Sequence, residues 1–291
     1  MRHKVEGLKF RHVDVFSSRP LSGNGLCVFW ESSNLSVDVM QQLTQEMRQF
    51  ESIFLTKTAD NNVFKARIFT MEEELDFAGH PVLGAAAVLH EQYGTTDSTT
   101  WILELNKKQV QVESARVNEV YQTTMDQGQA EFGQILDEEK TDIFMRALNI
   151  DHSCKAKSYP LQVVSTGLPY LIVPVTGGLE QAKIEHNDFS ALLDTVGAKF
   201  VYVFDLDARE GRTWDNNGLV KDVATGSAAG PTAAYLVKHG LAAISENIVI
   251  YQGRFVGRPS QINAFVYGNA SEIQKVFVSG TVSMVATGVF G

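Results

Sequence analysis

Two short glycine turns are the places in this chain where residue type and spacing could do chemistry. The first, Ala78-Gly79-His80-Pro81, runs into Val82-Leu83-Gly84-Ala85-Ala86-Ala87-Val88-Leu89. The second, Asp222-Val223-Ala224-Thr225-Gly226-Ser227, opens the alanine-rich run that continues to Leu236. They stand close to half the chain apart, a spacing that predicts a duplicated fold. Backbone N–H groups at a helix start lack intrahelical partners and carry partial positive charge, so each turn could hold an anion. Two such ends facing one cleft would suit a small carboxylate.

Around these turns stand three side chains with acid–base capacity. Glu51 lies in Phe50-Glu51-Ser52-Ile53-Phe54-Leu55, an apolar setting for a carboxylate. Burial disfavours the charged form, raises a carboxyl above its reference of about 4.3, and fits it to take and return a proton near neutral pH. The competing reading is a helix-end carboxylate at the surface or paired with Arg48, and spacing alone favours that reading. Asp222 could hold a substrate amine or hydroxyl, or press Glu51 toward its protonated form by like charge. Equally, it could bond loop N–H groups, as Asp does in turns. Ser227 reads first as an N-cap. His80 reads as a satisfied residue at a helix start, or as a neutral imidazole that donates to a substrate or protonates it. The matching places of His80 and Ser227 in the paired turns raise the functional reading of both.

Other signals fail. Gly23-Asn24-Gly25 lacks the third glycine and the helix of a dinucleotide-binding turn. In Gly226-Ser227-Ala228-Ala229-Gly230 the serine directly follows the glycine, so it is no G-x-S-x-G elbow. The histidines show no metal-ligand spacing, and there is no P-loop. The expectation is therefore no cofactor: neither nicotinamide, nucleotide nor metal.

Among 291 residues, Lys+Arg 25 against Asp+Glu 34 gives a net charge of −9, which argues against nucleic acid or anionic membrane as the main partner. Cys27 and Cys154 are too few for a disulfide framework and fit a reduced compartment. Met1-Arg2-His3-Lys4-Val5-Glu6 lacks the apolar core of a signal peptide, and no apolar run is long enough to span a bilayer. A cytoplasmic protein is expected.

The elements that must position these groups alternate irregularly. Strands are expected at 13–16, 26–30, from 53, and at 63–69, with a turn at 22–25 and a hairpin over 101–112. A helix capped by Ser36 carries Val37, Met40, Leu43, Met47 and Phe50 on one face and stops near Glu51. Pro81 fits a first helical turn. The polar stretch 126–133 reads as a linker and 137–148 as a helix. The second half has strands at 161–164, 170–175, 200–206, 248–251, 261–267, 275–278 and 282–286. Helices there cover 189–196 and the run after Ser227, which ends at Lys238-His239-Gly240. Strands outnumber helices and connections are short, so the class is α+β with mixed or antiparallel sheets.

These residues resemble a known family, the phenazine-biosynthesis isomerases and their PhzF-like relatives. Asp14-Val15-Phe16 with Gly23-Asn24 resembles its opening motif, and Phe50-Glu51-Ser52 its catalytic Ser-Glu-Thr segment. Phe69-Thr70, Glu74 and Gly79-His80 match its second motif, and Asp222-x-x-Thr225-Gly226-Ser227-Ala228 its most specific one. Gln252-Gly253 with Gly257-Arg258-Pro259-Ser260 resembles a further motif. The resemblance implies a diaminopimelate-epimerase-like fold: two pseudo-symmetric domains, each a mixed or antiparallel sheet wrapped around a central helix, with the active-site cleft between them. The boundaries expected are 1–125, joined by 280–291, and 134–279.

It also implies cofactor-free proton transfer, in which the Glu at the Glu51 position moves a proton within a dihydro-hydroxyanthranilate ring. Residues matching His80, Asp222 and Ser227 assist, and a homodimer is implied. Related epimerases and racemases place a cysteine before each glycine turn; here those places hold Ala78 and Thr225, which disfavours two-thiol racemisation. Phe50, Lys221 and Val223 depart from the family pattern, the last in place of a common proline, which would loosen the turn.

The function expected is a cofactor-independent isomerase of a small cyclic or unsaturated carboxylic acid. Its catalytic residues are Glu51, His80 and Asp222, and Gly79, Thr225, Gly226 and Ser227 bind substrate. The alternative is a non-catalytic small-molecule binding or regulatory protein that keeps the cleft. A serine hydrolase using Ser227 ranks last, because no His and Asp order for a triad is visible.

Overall fold

In the computed structural model, residues 5–269 and 272–291 are described. The chain forms two compact units, Met1–Asp126 with Ser279–Gly291, and Gln127–Val278.

In the first unit the strands are β1 (Lys9–Val15), β2 (Asn24–Phe29), β3 (Glu51–Lys57), β4 (Val63–Thr70), β5 (Glu74–Leu75), β6 (Ser98–Glu104), β7 (Gln109–Val117) and β8 (Val120–Gly128), with the C-terminal part of β16 (Glu272–Val289). Neighbours run β1-β2-β3-β4-β6-β7-β8-β16, and β16 pairs antiparallel with β1, so the sheet closes on itself. The β2–β3 and β4–β6 pairs are parallel and the β3–β4, β6–β7 and β7–β8 pairs antiparallel. Closure removes sheet edges and leaves an interior to be filled.

Helix α2 (Gly79–Tyr93) fills it. Every residue from Gly79 to His90 is buried, the signature of a helix apolar on all sides, and it packs on β1, β2, β3, β6 and β7. Small residues are what make this possible: a Cβ on Gly84 would lie 2.4 Å from Leu26 Cδ2. Helix α1 (Val37–Met47) covers a second core of Cys27, Phe29, Met40, Leu43, Phe54 and Phe69. There Phe29 and Phe54 stack at 4.6 Å.

The second unit repeats the plan. Strands β9 (Glu131–Ile135), β10 (Gln162–Ser165), β11 (Pro169–Val175), β12 (Phe200–Asp205), β13 (Glu210–Arg212), β14 (Ile248–Gln252) and β15 (Ser260–Asn269) lie in the order β9 to β15, followed by β16. Helix α5 (Gly226–Lys238) is buried against β10, β11 and β15. A Cβ on its Gly230 would lie 2.0 Å from Gln127 Oε1. Helices α3 (Glu138–Ala147) and α4 (Phe189–Asp194) cover an outer core containing Phe144, Leu148, Phe189 and Leu193. The α5 helix ends as expected, with His239 as its C-cap and Gly240 at φ 72° beyond it.

Several expectations need correcting. The polar stretch 126–133 is no linker: it belongs to β8 and β9, and the unit boundary falls inside β8. Its polarity is used internally, since buried Gln127 donates to the Gly226 carbonyl (2.9 Å) and accepts from Thr166 Oγ1 (2.8 Å). The two strands expected at 275–278 and 282–286 are one strand, β16. Within that strand Gly280 admits the Phe16 ring, whose Cδ1 would lie 2.4 Å from a Cβ there. Ser36 holds the N-cap position of α1 without a side-chain capping bond. Residues 24 and 25, expected in a turn, open β2. Among the described residues, no helix is long and apolar enough to cross a membrane.

Candidate active site

Helix α1 stops when Arg48 enters the left-handed region at φ 52°, and three residues later Glu51 opens β3. In the sheet Glu51 sits opposite Leu26 of β2 and Thr70 of β4. His80 is the second residue of α2, after Ala78 in an extended conformation at the N-cap. The two meet: Glu51 Oε2 lies 3.1 Å from His80 Nδ1. Their residues are 6% and 4% exposed, so the pair is withdrawn from water. Asn24 Nδ2 approaches the same nitrogen at 3.4 Å, a weaker contact. Glu51 is thus neither a surface carboxylate nor, among the described residues, ion-paired with Arg48.

Burial pushes the His80 imidazole down to about 3, so the ring is neutral at physiological pH. A neutral ring carries one proton, and Nδ1 can donate to a Glu51 carboxylate or accept from a neutral Glu51 carboxyl. His80 Nε2 is buried with no hydrogen-bond partner among the described residues. A carboxyl withdrawn from water beside a neutral imidazole is placed where general acid–base work is possible.

The second turn lies in the other unit and is built differently. Thr225, not Ser227, occupies the N-cap position of α5, and it makes no side-chain capping bond. Its hydroxyl instead donates to Asp222 Oδ2 at 2.5 Å. Ser227 is the second helical residue, and its Oγ lies 2.7 Å from the Tyr170 hydroxyl. The reading of Ser227 as an N-cap is therefore wrong, because Thr225 is the residue that precedes the first helical one, Gly226, and Ser227 lies inside the helix.

Gln252, at the end of β14, ties the turn together. Its Nε2 donates to the Asp222 carbonyl (3.1 Å) and to Thr225 Oγ1 (2.9 Å). Its Oε1 accepts from the Thr225 N–H (3.1 Å) and from the Tyr202 hydroxyl (2.9 Å). Gly253 follows at φ 92°, and a Cβ there would lie 2.2 Å from the Arg258 carbonyl and 2.8 Å from that of Val223. Glycine is what lets the strand end approach this turn. The turn is accordingly held from β14, and by a bridge between Trp214 and Lys221, without the proline that Val223 replaces.

Both helices start without a side-chain cap, so Gly79 and Gly226 lie where N–H groups can meet an anion. Ala78 and Thr225 hold the N-cap positions. Cys27 is buried in β2 with its thiol pushed up to about 12 by desolvation, and Cys154 lies in the turn His152–Cys154. Neither cysteine belongs to the Gly79 or the Gly226 turn. Sequence reasoning did not assign roles to Asn24 or Gln252, although both lay in recognised motif strings. Tyr170 had no signal at all, being one aromatic residue in an apolar strand.

The protein-family model described as phenazine biosynthesis-like protein (PhzC-PhzF) matches residues 13–288. The trans-2,3-dihydro-3-hydroxyanthranilate isomerase of Pseudomonas chlororaphis is 33% identical, over 92% of this chain and 94% of its own length. The structure of a predicted epimerase from Pseudomonas aeruginosa is 49% identical and matches with a TM-score of 0.91, covering 97% of this chain and 98% of that one. A hydroxyproline epimerase from Agrobacterium vitis, 13% identical with a TM-score of 0.63 over 99% of this chain and 93% of its own, shares the fold. With a family match across nearly its whole length and isomerases among its relatives, the chain belongs to the PhzC-PhzF phenazine biosynthesis-like family and is an isomerase.

Proposed function

We propose that this isomerase shifts a proton within a small cyclic or unsaturated carboxylic acid, without a cofactor, and that Glu51 is its general acid and base. The observation that carries this is the Glu51 carboxyl buried 3.1 Å from a neutral His80. Glu51 removes a proton from one carbon, the electron pair moves along the double bond, and the same carboxyl returns the proton at another carbon. No electrons are gained or lost, so the step balances with one acid–base group. Such a group contributes about 10²–10⁴-fold in rate. His80 orients Glu51 as a neutral neighbour.

The same reading gives Asp222 the task of binding a substrate amine or hydroxyl. Gly79, Gly226 and Ser227 contribute to carboxylate binding, supported by the two uncapped helix starts, while the Thr225 N–H and hydroxyl serve Gln252 and Asp222. Trans-2,3-dihydro-3-hydroxyanthranilate, named for the relative in Pseudomonas chlororaphis, is the first compound to try. A homodimer is part of the proposal, and sedimentation velocity measures it.

The test is proton NMR in D₂O with that compound and a panel of cyclic and unsaturated carboxylic acids. Deuterium entering at one carbon, or a migrated double bond, supports the reading. Isomerisation of an acid that proceeds undiminished in Glu51→Gln speaks against the role of Glu51.

A further inference from the structure

We infer that Gln252 and Thr225 are positioning residues that fix the orientation of the Asp222 carboxylate. The inference rests on the reading of Asp222 as a substrate-binding group, and the reason lies in the direction of each hydrogen bond. Gln252 is 2% exposed, and its amide is engaged four times. Oε1 can only accept and Nε2 can only donate. The Thr225 N–H and the Tyr202 O–H both point at Oε1, which settles which end of the amide is oxygen. Nε2 is thereby aimed at Thr225 Oγ1. A hydroxyl that accepts from an amide has its own proton free to donate elsewhere, and here the acceptor is Asp222 Oδ2. The chain of donors runs in one direction, Gln252 to Thr225 to Asp222.

Tyr202 secures the far end. It is buried, with its hydroxyl held in the protonated form by desolvation and, secondarily, by the charge of Asp222, so it remains a donor to Gln252. Asp222 itself is half-buried, and its main chain is tied down by Gln252 Nε2 at the carbonyl and by its own N–H to the Thr213 carbonyl (3.2 Å). Backbone and carboxylate are thus both anchored, while the residue keeps solvent access. A group held this way meets a ligand without first losing rotamer freedom. The threonine that stands where related folds place a thiol acts as a hydroxyl donor to the neighbouring carboxylate.

The experiment uses the full-length protein with Thr225→Val, which keeps shape and removes the hydroxyl, and Thr225→Ser, which restores it. Each is made alone and with Asp222→Asn, and kcat and KM are read with trans-2,3-dihydro-3-hydroxyanthranilate. Thr225→Val is expected to lower kcat/KM by about tenfold, the worth of one charge-assisted hydrogen bond. Thr225→Ser should recover most of it, and Thr225→Val should have little further effect when Asp222→Asn is already present. Equal losses in both backgrounds overturn the inference alone. Asp222→Asn with wild-type kinetics overturns the inference and the reading of Asp222 together.

Crystal structures of Thr225→Val and Gln252→Leu provide a measure that needs no turnover. The Asp222 carboxylate should leave its wild-type position by more than about 0.5 Å, the tolerance of a preorganised site. A carboxylate unmoved in both variants overturns the inference.

Discussion

Glu51 Oε2 and His80 Nδ1 lie 3.1 Å apart, one from the first residue of a strand and the other from the second residue of the helix inside the same closed sheet. The imidazole is neutral because it is buried, so the contact is not a salt bridge. That relationship supports the acid–base role proposed for Glu51.

Replacing Glu51 by Gln keeps a hydrogen-bonding side chain of the same size and removes the titratable proton. Turnover should fall by at least ~10²-fold, with the fold retained. Deuterium incorporation by NMR, together with thermal melting, checks both halves, and near-normal exchange would end the role assigned to Glu51.

His80 links stability to pH. Its folded value of about 3 lies below the ordinary histidine value near 6.5. The unfolded chain therefore binds a proton that the native state refuses as pH falls through 6.5. The contribution to stability is intact above that value and is lost progressively toward pH 3, by at most ~5 kcal/mol at the acid end. Urea unfolding of wild type and His80→Asn from pH 7 to pH 4 should give a shallower slope for the variant. Parallel slopes would mean that His80 titrates normally in the fold.

Tyr170 supplies the hydrogen bond to Ser227 Oγ. Tyr170→Phe removes one bond, worth about 0.5–1.5 kcal/mol, and leaves Glu51 untouched. KM for the substrate carboxylate should rise roughly 2–10-fold with kcat nearly unchanged. A kcat effect with constant KM would place Tyr170 in the chemical step instead.

Gly230 tests why α5 is built from small residues. A Cβ there meets Gln127 Oε1 at 2.0 Å, and Gln127 bonds Gly226 and Thr166. Gly230→Ala gains helix propensity of about 1 kcal/mol but displaces a buried amide, so a net loss of ~1–3 kcal/mol is expected in denaturant titration. A stabilised variant would show that the strand yields easily.

Much of this protein was legible in its residues. The period of Val37, Met40, Leu43 and Met47 marked α1, though Phe50, expected on the same face, lies past the helix end at Met47. The small-residue runs after Gly79 and Gly226 marked the two buried helices, because only such sequences let a helix be enclosed by strands. Short apolar runs marked most strands. Local pattern misread 126–133 and broke β16 between 278 and 282, since polar residues and glycine interrupt a pattern unless a partner distant in sequence uses them. Gln127 answers to Thr166 and Gly226, and Gly280 to Phe16.

For the site, the sequence by itself determined which groups are present: Glu51, His80, Asp222 and the two glycine turns, recognisable by residue type and order. Only the tertiary structure decided which of them touch. It paired Glu51 with His80, moved the N-cap from Ser227 to Thr225, and brought in Gln252 and Tyr170 from other strands. The physical reason is that a hydrogen bond depends on separation in space, and residues far apart in the chain acquire that separation only when strands and helices pack together.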